Sequence, residues 1–139
     1  MKIKHEILLK YIKDLSVETP DAESLIAARD NITKYSLKLD LSSKILKNNM
    51  IEIDTKLTYE DKKNKKKTYF EMIYSTVVKI KEEKPNPEDI KKFILCDLQI
   101  QIYPQIEKSF LEILKLSGFP HLKLNSKIDF NKLYNERKN

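Results

Sequence analysis

Carboxylates are the side chains in this sequence whose spacing most suggests a common site. Asp14 and Glu18 are four residues apart, and on an extended chain this spacing points both in the same direction. A third carboxylate, Glu71, lies alone within an apolar stretch, residues 67–80. A pair such as Asp14 and Glu18 most often marks a strand face turned toward solvent, so its spacing alone assigns no function.

The residue types that usually carry catalysis are scarce. The chain has one cysteine, Cys96, two histidines, His5 and His121, and one glycine, Gly118. These residues cannot build the usual zinc site, and a single glycine cannot form a Gly-rich phosphate loop. The sequence also has no G-x-S-x-G nucleophile elbow. We therefore expect no enzyme activity, no metal and no cofactor.

The basic residues indicate a different kind of site. Lys and Arg number 27 against 21 Asp and Glu, so the formal net charge is +6. Five lysines crowd positions 62–67, and Lys132, Arg137 and Lys138 follow near the end. Basic clusters raise nucleic acid as a partner. A nucleic-acid-binding module therefore stays open as an alternative, and it predicts an affinity that falls steeply with salt.

Length and composition describe one ordinary domain. A chain of 139 residues with 40% hydrophobic residues can bury a single core. No apolar run approaches the 18 or more residues of a membrane span, and the start does not read as a signal peptide. One cysteine cannot form an intrachain disulfide, which fits a reducing compartment. We expect one domain, residues 1–139, located in the cytoplasm.

Alternating apolar and polar side chains predict four strands, joined into an antiparallel sheet. The expected ranges are 3–17, 34–42, 50–60 and 67–80. Asn48-Asn49 is a turn signal between the second and third strands. The last strand, KTYFEMIYSTVVKI, is largely apolar on both faces, which is typical of a strand covered on both sides.

Beyond the sheet the pattern predicts helices, so the fold class is α+β. Asn86 is a suitable N-cap with Pro87 at the first helical position, and Gly118 marks the far end. We expect a long helix over 87–117, with a break near Pro104, and a short helix over 129–137. The long helix is apolar over much of its circumference, as is strand 67–80 on both faces. We therefore expect other subunits to cover these apolar surfaces, in an oligomer with two-fold symmetry.

Taken together, these segments resemble the SecB family of protein-export chaperones. The resemblance spans residues 11–134 and is carried by segments whose order and spacing match the family: YIKDLSVETPDA (11–22), KLDL (38–41), FEMIYSTVVKI (70–80), YPQIEKSFLEILKLSGFPHLKL (103–124) and IDFNKLY (128–134). It implies a four-stranded antiparallel sheet followed by a long and a short helix. It also implies a homotetramer, a dimer of dimers, with Phe70, Met72 and Tyr74 at a subunit contact.

The resemblance further implies a holdase that acts without ATP. It would bind unfolded precursor polypeptides in apolar grooves and deliver them to the SecA translocation motor. By position, the groove residues are Leu37, Leu39, Leu41, Ile51, Ile53, Phe119, Phe130, Leu133 and Tyr134. The residues that would bind the basic, zinc-binding tail of SecA are Asp14, Glu18, Tyr69 and Glu71. No nucleic acid partner and no insertion into a membrane are expected on this interpretation.

Within the family a second function stays open. A solitary SecB-like chaperone that guards an antitoxin would have the same fold and the same kind of groove. The sequence does not separate this function from precursor export, because both need an apolar surface that binds an unfolded chain.

Overall fold

The computed structural model describes residues 3–61, 63, 68–124 and 128–138, and it describes residues 137 and 138 by backbone alone. Its elements, in chain order, are β1 (His5–Glu18), α1 (Ala22–Asp30), β2 (Tyr35–Ile45), β3 (Met50–Asp61), β4 (Tyr69–Ile80), α2 (Pro87–Lys92), α3 (Leu98–Leu116) and α4 (Phe130–Lys138). A 3-10 turn, Ile32–Lys34, precedes β2, and a π-helical turn, Phe93–Asp97, joins α2 to α3. The predicted α+β class with a four-stranded sheet is confirmed. Most of the predicted lysine cluster at 62–67 lies outside the described residues.

The four strands form one antiparallel sheet in the order β1-β4-β3-β2. The two edge strands are therefore β1 and β2, which follow one another in sequence but lie at opposite edges of the sheet. Apolar rows cross all four strands on one face, which we call the inner face. One row is Leu39, Leu57, Met72 and Leu15, each opposite the next. The other face, which we call the outer face, carries more of the charged side chains.

The hairpin between β2 and β3 turns at Asn48-Asn49, as the sequence predicts. Both residues have positive φ, 61° and 59°, and the Met50 N–H donates to the Lys47 carbonyl at 3.3 Å. Asn tolerates this left-handed conformation better than other residues with side chains, and two such residues match the twist of a hairpin.

Helix ends follow the predicted capping. The side chain of Asn86 accepts a hydrogen bond from the Glu88 N–H, and Pro87 begins α2. Asp129 caps α4 by accepting from the Lys132 N–H at 3.1 Å. Gly118, with φ +114°, ends the long helix, and an added Cβ there would lie only 3.0 Å from Leu25 of α1. Glycine therefore permits both the backbone turn and the close packing.

The predicted break at Pro104 is corrected by the structure. α3 continues through Pro104, and the irregularity lies earlier, at the π-helical turn Phe93–Asp97. Pro104 and Ile100 are both exposed, so water can bond the Ile100 carbonyl that the missing N–H leaves free. The π-helical turn instead buries Phe93, Ile94 and Cys96 together against the core.

The predicted subunit contact at Phe70, Met72 and Tyr74 stays a prediction, and the structure shows how these residues lie within one chain. Phe70 and Met72 are fully buried and Tyr74 is 9% exposed within the single chain. They lie on the inner face, where the chain's own helices and the segment after α3 cover β4; Phe70 meets Phe119 edge-on at 5.6 Å between ring centroids. The chain's own helices and the segment after α3 therefore already cover the apolar inner side of β4 at these three residues.

None of the described helices is both long enough and apolar enough to cross a membrane.

Candidate functional site

The inner side of β2 forms the floor of a groove at one edge of the sheet. Leu37, Leu39 and Leu41 are each only partly buried there, because β2 pairs with β3 on one side alone. Ile45, at the end of the same row, is 84% exposed. The alternate residues of β2, among them Lys38, Ser42 and Lys44, lie on the outer face. β2 thus exposes apolar side chains toward the helices and polar ones away from them.

A cavity of about 630 Å³ lies at the start of β2, and we call it the first cavity. Its walls come from β2, β3, the 3-10 turn and the loop after α3, and include Ile32, Tyr35, Leu37, Tyr59, Leu122 and Leu124. The rings of Tyr35 and Tyr59 lie 5.3 Å apart. The Tyr35 hydroxyl donates to the Thr68 carbonyl at 2.6 Å, and burial raises the pKa of Tyr35, so this donor stays protonated.

A second cavity, of about 620 Å³, lies at the other end of β2. Its walls are mostly aliphatic and come from the β2–β3 hairpin, the end of β4 and the start of the long helix; they include Ile45, Ile51, Ile80, Ile90, Ile94 and Leu95. Pro85 and Pro87 also line it, with Glu82 and Lys91 as its charged residues. The two cavities and the leucines between them form a path along β2 that is mostly apolar, with the exposed Ser43 between Leu41 and Ile45.

The structure divides the nine predicted groove residues. Leu37 lines the first cavity and Ile51 the second, with Leu39 and Leu41 between them. Leu133 of α4 is partly buried against the core. The remaining four are 8% exposed or less and pack inside the chain: Ile53, Phe119, Phe130 and Tyr134. Ile53 lies on the central strand β3, and Phe119 and Phe130 pack against aromatic rings of the core.

Sequence reasoning missed several walls of the groove. Tyr35 and Ile45 begin and end the alternation that contains Leu37, Leu39 and Leu41, and continuing that period-two pattern would have found both. The long-helix residues Ile90 and Ile94 carry no such signal, because their contact with β2 depends on how the helix crosses the sheet.

The four predicted acidic-site residues gather on the outer face. Asp14 pairs with Ile73, Ser16 with Glu71, and Glu18 with Tyr69 across the β1–β4 ladder. The Tyr69 hydroxyl lies 3.2 Å from the Ser16 hydroxyl. Glu71 forms an ion pair with Lys56 at 3.2 Å. The structure therefore places all four on one patch beside the β1 edge.

Lys13 adds an arrangement that the sequence did not suggest. A register shift between Ile12 and Asp14 lets its ammonium group cross the outer face to Glu52 at 2.5 Å and Asp54 at 3.0 Å. Hydrogen bonds to Glu52 and then Asp54 raise the pKa of Lys13. Burial alone would raise the pKa of Asp54, but the hydrogen bonds donated by Ser75 and Lys13 hold it below its ordinary value. Lys13 and Asp54 are therefore both charged at neutral pH.

The described residues contain no group of three or more His, Cys, Asp or Glu side chains that could hold a metal ion. An apolar path along a free sheet edge, beside a separate acidic patch, is the surface of a protein that binds other polypeptides. The class is that of a chaperone or a peptide-binding adaptor.

Comparison with known proteins identifies the family. The sequence model described as preprotein translocase subunit SecB matches residues 2–139. The chain therefore belongs to the SecB family, and its function is that of a protein-export chaperone.

Curated relatives match over most or all of this chain. The chain is similar to a protein-export protein SecB of Pelagibacter ubique, with 42% identity over all of both chains. It is also similar to the protein-export proteins SecB of Parvibaculum lavamentivorans, at 27% identity over 94% of this chain and 77% of the relative, and of Rickettsia bellii, at 28% over 92% and 84%.

Among solved structures, the fold is similar to a SecB-like chaperone of Mycobacterium tuberculosis in complex with a ChAD peptide from the HigA1 antitoxin. The TM-score is 0.67 with 11% identity, over 89% of this chain and 88% of that one. At this identity the likeness concerns the fold alone.

Proposed function

We propose that the chain is a cytoplasmic holdase that binds unfolded precursor polypeptides without ATP, along the groove of β2. The observation that carries the proposal is the apolar path of partly buried leucines between two cavities at a free sheet edge. Such a surface binds by removing apolar area from water, at about 25 cal/mol per Å². The free edge of β2 can add main-chain hydrogen bonds that do not depend on the client's sequence.

Assembly is part of the proposal. Six apolar side chains of the β1 edge are 37% to 58% exposed: Leu8, Leu9, Tyr11, Ile12, Leu15 and Val17. Exposed apolar edge strands favour pairing with another strand. Two β1 edges that meet would join two sheets, and the exposed Ile100 of α3 would support a second contact. These surfaces support a homotetramer, in which several grooves together bind one long client with greater avidity.

Delivery to SecA completes the proposal. The acidic patch of Asp14, Glu18, Tyr69 and Glu71 faces away from the groove, so a basic tail and a client would occupy different faces. Local carboxylates act at short range even on a chain of net charge +6, because charges more than about 8 Å away are largely screened at physiological salt. Any zinc in such a complex would belong to SecA.

The proposal is tested by aggregation of an unfolded precursor diluted from denaturant. The chain should suppress light scattering at equimolar amounts with no nucleotide present, and 300 mM salt should leave the suppression intact. A nucleic-acid-binding module predicts the opposite: no suppression, together with RNA binding that weakens steeply with salt.

The acidic patch has its own test. Asp14→Lys combined with Glu71→Lys should abolish binding of a zinc-loaded SecA tail peptide, measured by calorimetry, and leave suppression of aggregation unchanged. The matched control, Asp40→Lys with Glu60→Lys, makes the same charge change on the outer face toward the β2 edge. If tail binding survives the Asp14 and Glu71 substitutions and is lost with the control substitutions, the SecA-binding surface lies toward the β2 edge instead.

The antitoxin function remains a second candidate, favoured by the peptide seen in the structural neighbour. It would use the same groove with one dedicated client. Neighbouring genes that encode a toxin and an antitoxin, and selective binding of that antitoxin over unrelated unfolded precursors, would support it.

A further inference from the structure

A buried glutamine joins the long helix to the sheet. Gln99 of α3 and Thr55 of β3 are both fully buried, and the Gln99 side-chain amide donates to the Thr55 hydroxyl at 3.1 Å. The oxygen of the same amide has no hydrogen-bond partner among the described residues. A half-paired amide costs stability compared with an apolar side chain of equal size, because its oxygen loses water without a replacement. Stability therefore does not explain why a glutamine lies here.

The rest of the buried face of α3 repeats itself. An apolar side chain recurs at every fourth residue, at Leu98, Ile102, Ile106, Phe110 and Leu114. A slip of α3 along its axis by four residues, about 6 Å, would bring apolar side chains back onto apolar positions of the sheet. Because the hydrophobic effect has no direction of its own, it discriminates weakly between such registers.

Gln99 distinguishes these registers. Within β3 and β4, the inner face offers a threonine hydroxyl at two points, Thr55 and Thr76, and Gln99 bonds the first. Away from these points its amide would face aliphatic and aromatic side chains and would have no partner. The bond therefore favours the observed register over slipped ones that bury as much apolar surface. Fixing a register is the best-attested use of a polar group in an apolar core.

The register of α3 also places part of the groove wall. The π-helical turn, Phe93–Asp97, ends two residues before Gln99, and its Ile94 and Leu95 line the second cavity. A slip of the helix by four residues would carry both side chains about 6 Å along the helix axis. They would then leave their places relative to the walls that come from β2 and β3.

We propose that Gln99 is a positioning residue: its bond to Thr55 fixes α3 in one register on the sheet and so keeps Ile94 and Leu95 in the groove wall, at a cost in stability. Gln99 itself is fully buried, so it acts through the helix and does not touch the client. This inference rests on the proposed holdase function and adds to it a residue outside the groove.

The test replaces the polar pair with apolar side chains of nearly the same size, Gln99→Met with Thr55→Val. The thermal unfolding midpoint should stay the same or rise, because the pair then leaves no buried polar atom unpaired. The client probe is reduced, carboxymethylated lactalbumin labelled with fluorescein, and its binding is measured by anisotropy. Affinity should fall about fivefold or more, since only the fraction of molecules in the observed register has the complete wall. Solution mass, measured by light scattering, should not change.

Two further variants separate position from stability. Thr55→Ser keeps the hydroxyl and loses a buried methyl group, so it should lower the unfolding midpoint and keep client affinity within about twofold. Gln101→Met is the matched control, because it makes the same substitution two residues along α3. Gln101 is exposed and its side-chain oxygen lies 3.3 Å from the His5 ring of β1, so its replacement should change neither quantity.

Three results would overturn the inference. Wild-type affinity in the double variant would show that the groove forms without the polar bond. Weaker binding by both the double variant and Thr55→Ser, each with a lower midpoint, would show that affinity only follows stability. A fall in the solution mass of the double variant would attribute its lost affinity to disassembly. Each of these leaves the holdase function standing, whereas a wild-type chain that binds no unfolded polypeptide would refute that function.

Discussion

The two edge strands of the sheet, β1 and β2, differ in how their apolar side chains are exposed. β1 and β2 each have one side without a strand partner among the described residues. β1 exposes apolar side chains on both faces, with Leu9 and Tyr11 on the outer face and Leu15 and Val17 on the inner face. Two register shifts interrupt its ladder with β4. The helices pack on the central strands and leave β1 largely uncovered.

β2 keeps a clean alternation instead. From Tyr35 to Leu41 its inner residues are apolar and at least partly buried, and its outer residues are polar. An edge that is apolar on both faces is stable in water only when a permanent partner covers it. An edge with one sheltered apolar row can stay open between clients. This difference is the reason for proposing a subunit contact at β1 and a reversible binding site at β2.

The largest expected effect comes from charging the β1 edge. Leu9→Lys with Leu15→Lys places one charge on each face of β1. Burying these charges in a subunit contact should weaken association by at least about a hundredfold. Light scattering over a dilution series should then give about twice the mass of a single chain, 16.5 kDa, instead of about four times that value, because the second contact is left intact.

Both leucines are more than 40% exposed, so the fold itself should survive the change. Ile26→Lys is the control, because Ile26 is 58% exposed on α1 and belongs to neither edge. An unchanged mass for the double variant would show that β1 is not a subunit contact, and the contrast between the edges would lose its meaning.

A smaller effect is expected at the other edge. Leu39→Ala with Leu41→Ala removes the apolar floor between the cavities and should weaken binding of an unfolded polypeptide by about tenfold or more. Solution mass should not change. Lys38→Ala, on the outer face of the same strand, should affect neither quantity. Dissociation of the assembly by the leucine variant would mean that β2 also carries a subunit contact.

The local pattern of the fold was predictable from the sequence. Alternation gave the four strands, Asn48-Asn49 gave the hairpin turn, and Asn86 and Asp129 gave the helix caps. These features depend on neighbours within a few residues, which is the range where side-chain type decides conformation. The row Leu37, Leu39 and Leu41 was predictable for the same reason.

Long-range packing was not predictable in the same way. The inner face of β4 was expected to need a partner, yet Phe70 is covered by the chain's own Phe119, 49 residues away in sequence and beyond the whole long helix. The exposed faces lie instead on β1, whose position at an edge follows from pairing with β4 rather than with β2. Alternation shows which side chains share a face, and it does not show what covers that face.

The smallest predicted effect concerns the outer face of the sheet and the affinity of that face for a basic tail. Lys13 forms ion pairs with Glu52 and Asp54, so its one positive charge partly offsets the two carboxylates on the outer face. A basic tail must compete with this lysine. Lys13→Gln should therefore tighten binding of the SecA tail peptide by about two- to fivefold, the modest size expected for an exposed pair. Calorimetry at low and high salt measures the change.

The matched control for Lys13 is Lys38, near the β2 edge, whose ammonium group lies 3.8 Å from Asp40. Lys38→Gln removes the same charge from the chain, so an effect of net charge alone would tighten tail binding equally in both variants. A gain confined to Lys13→Gln, which disappears at high salt because exposed charges are then screened, would show that the tail uses Glu52 and Asp54. The acidic surface would then extend from β1 across β4 to β3, and Lys13 would set how strongly it attracts a basic partner.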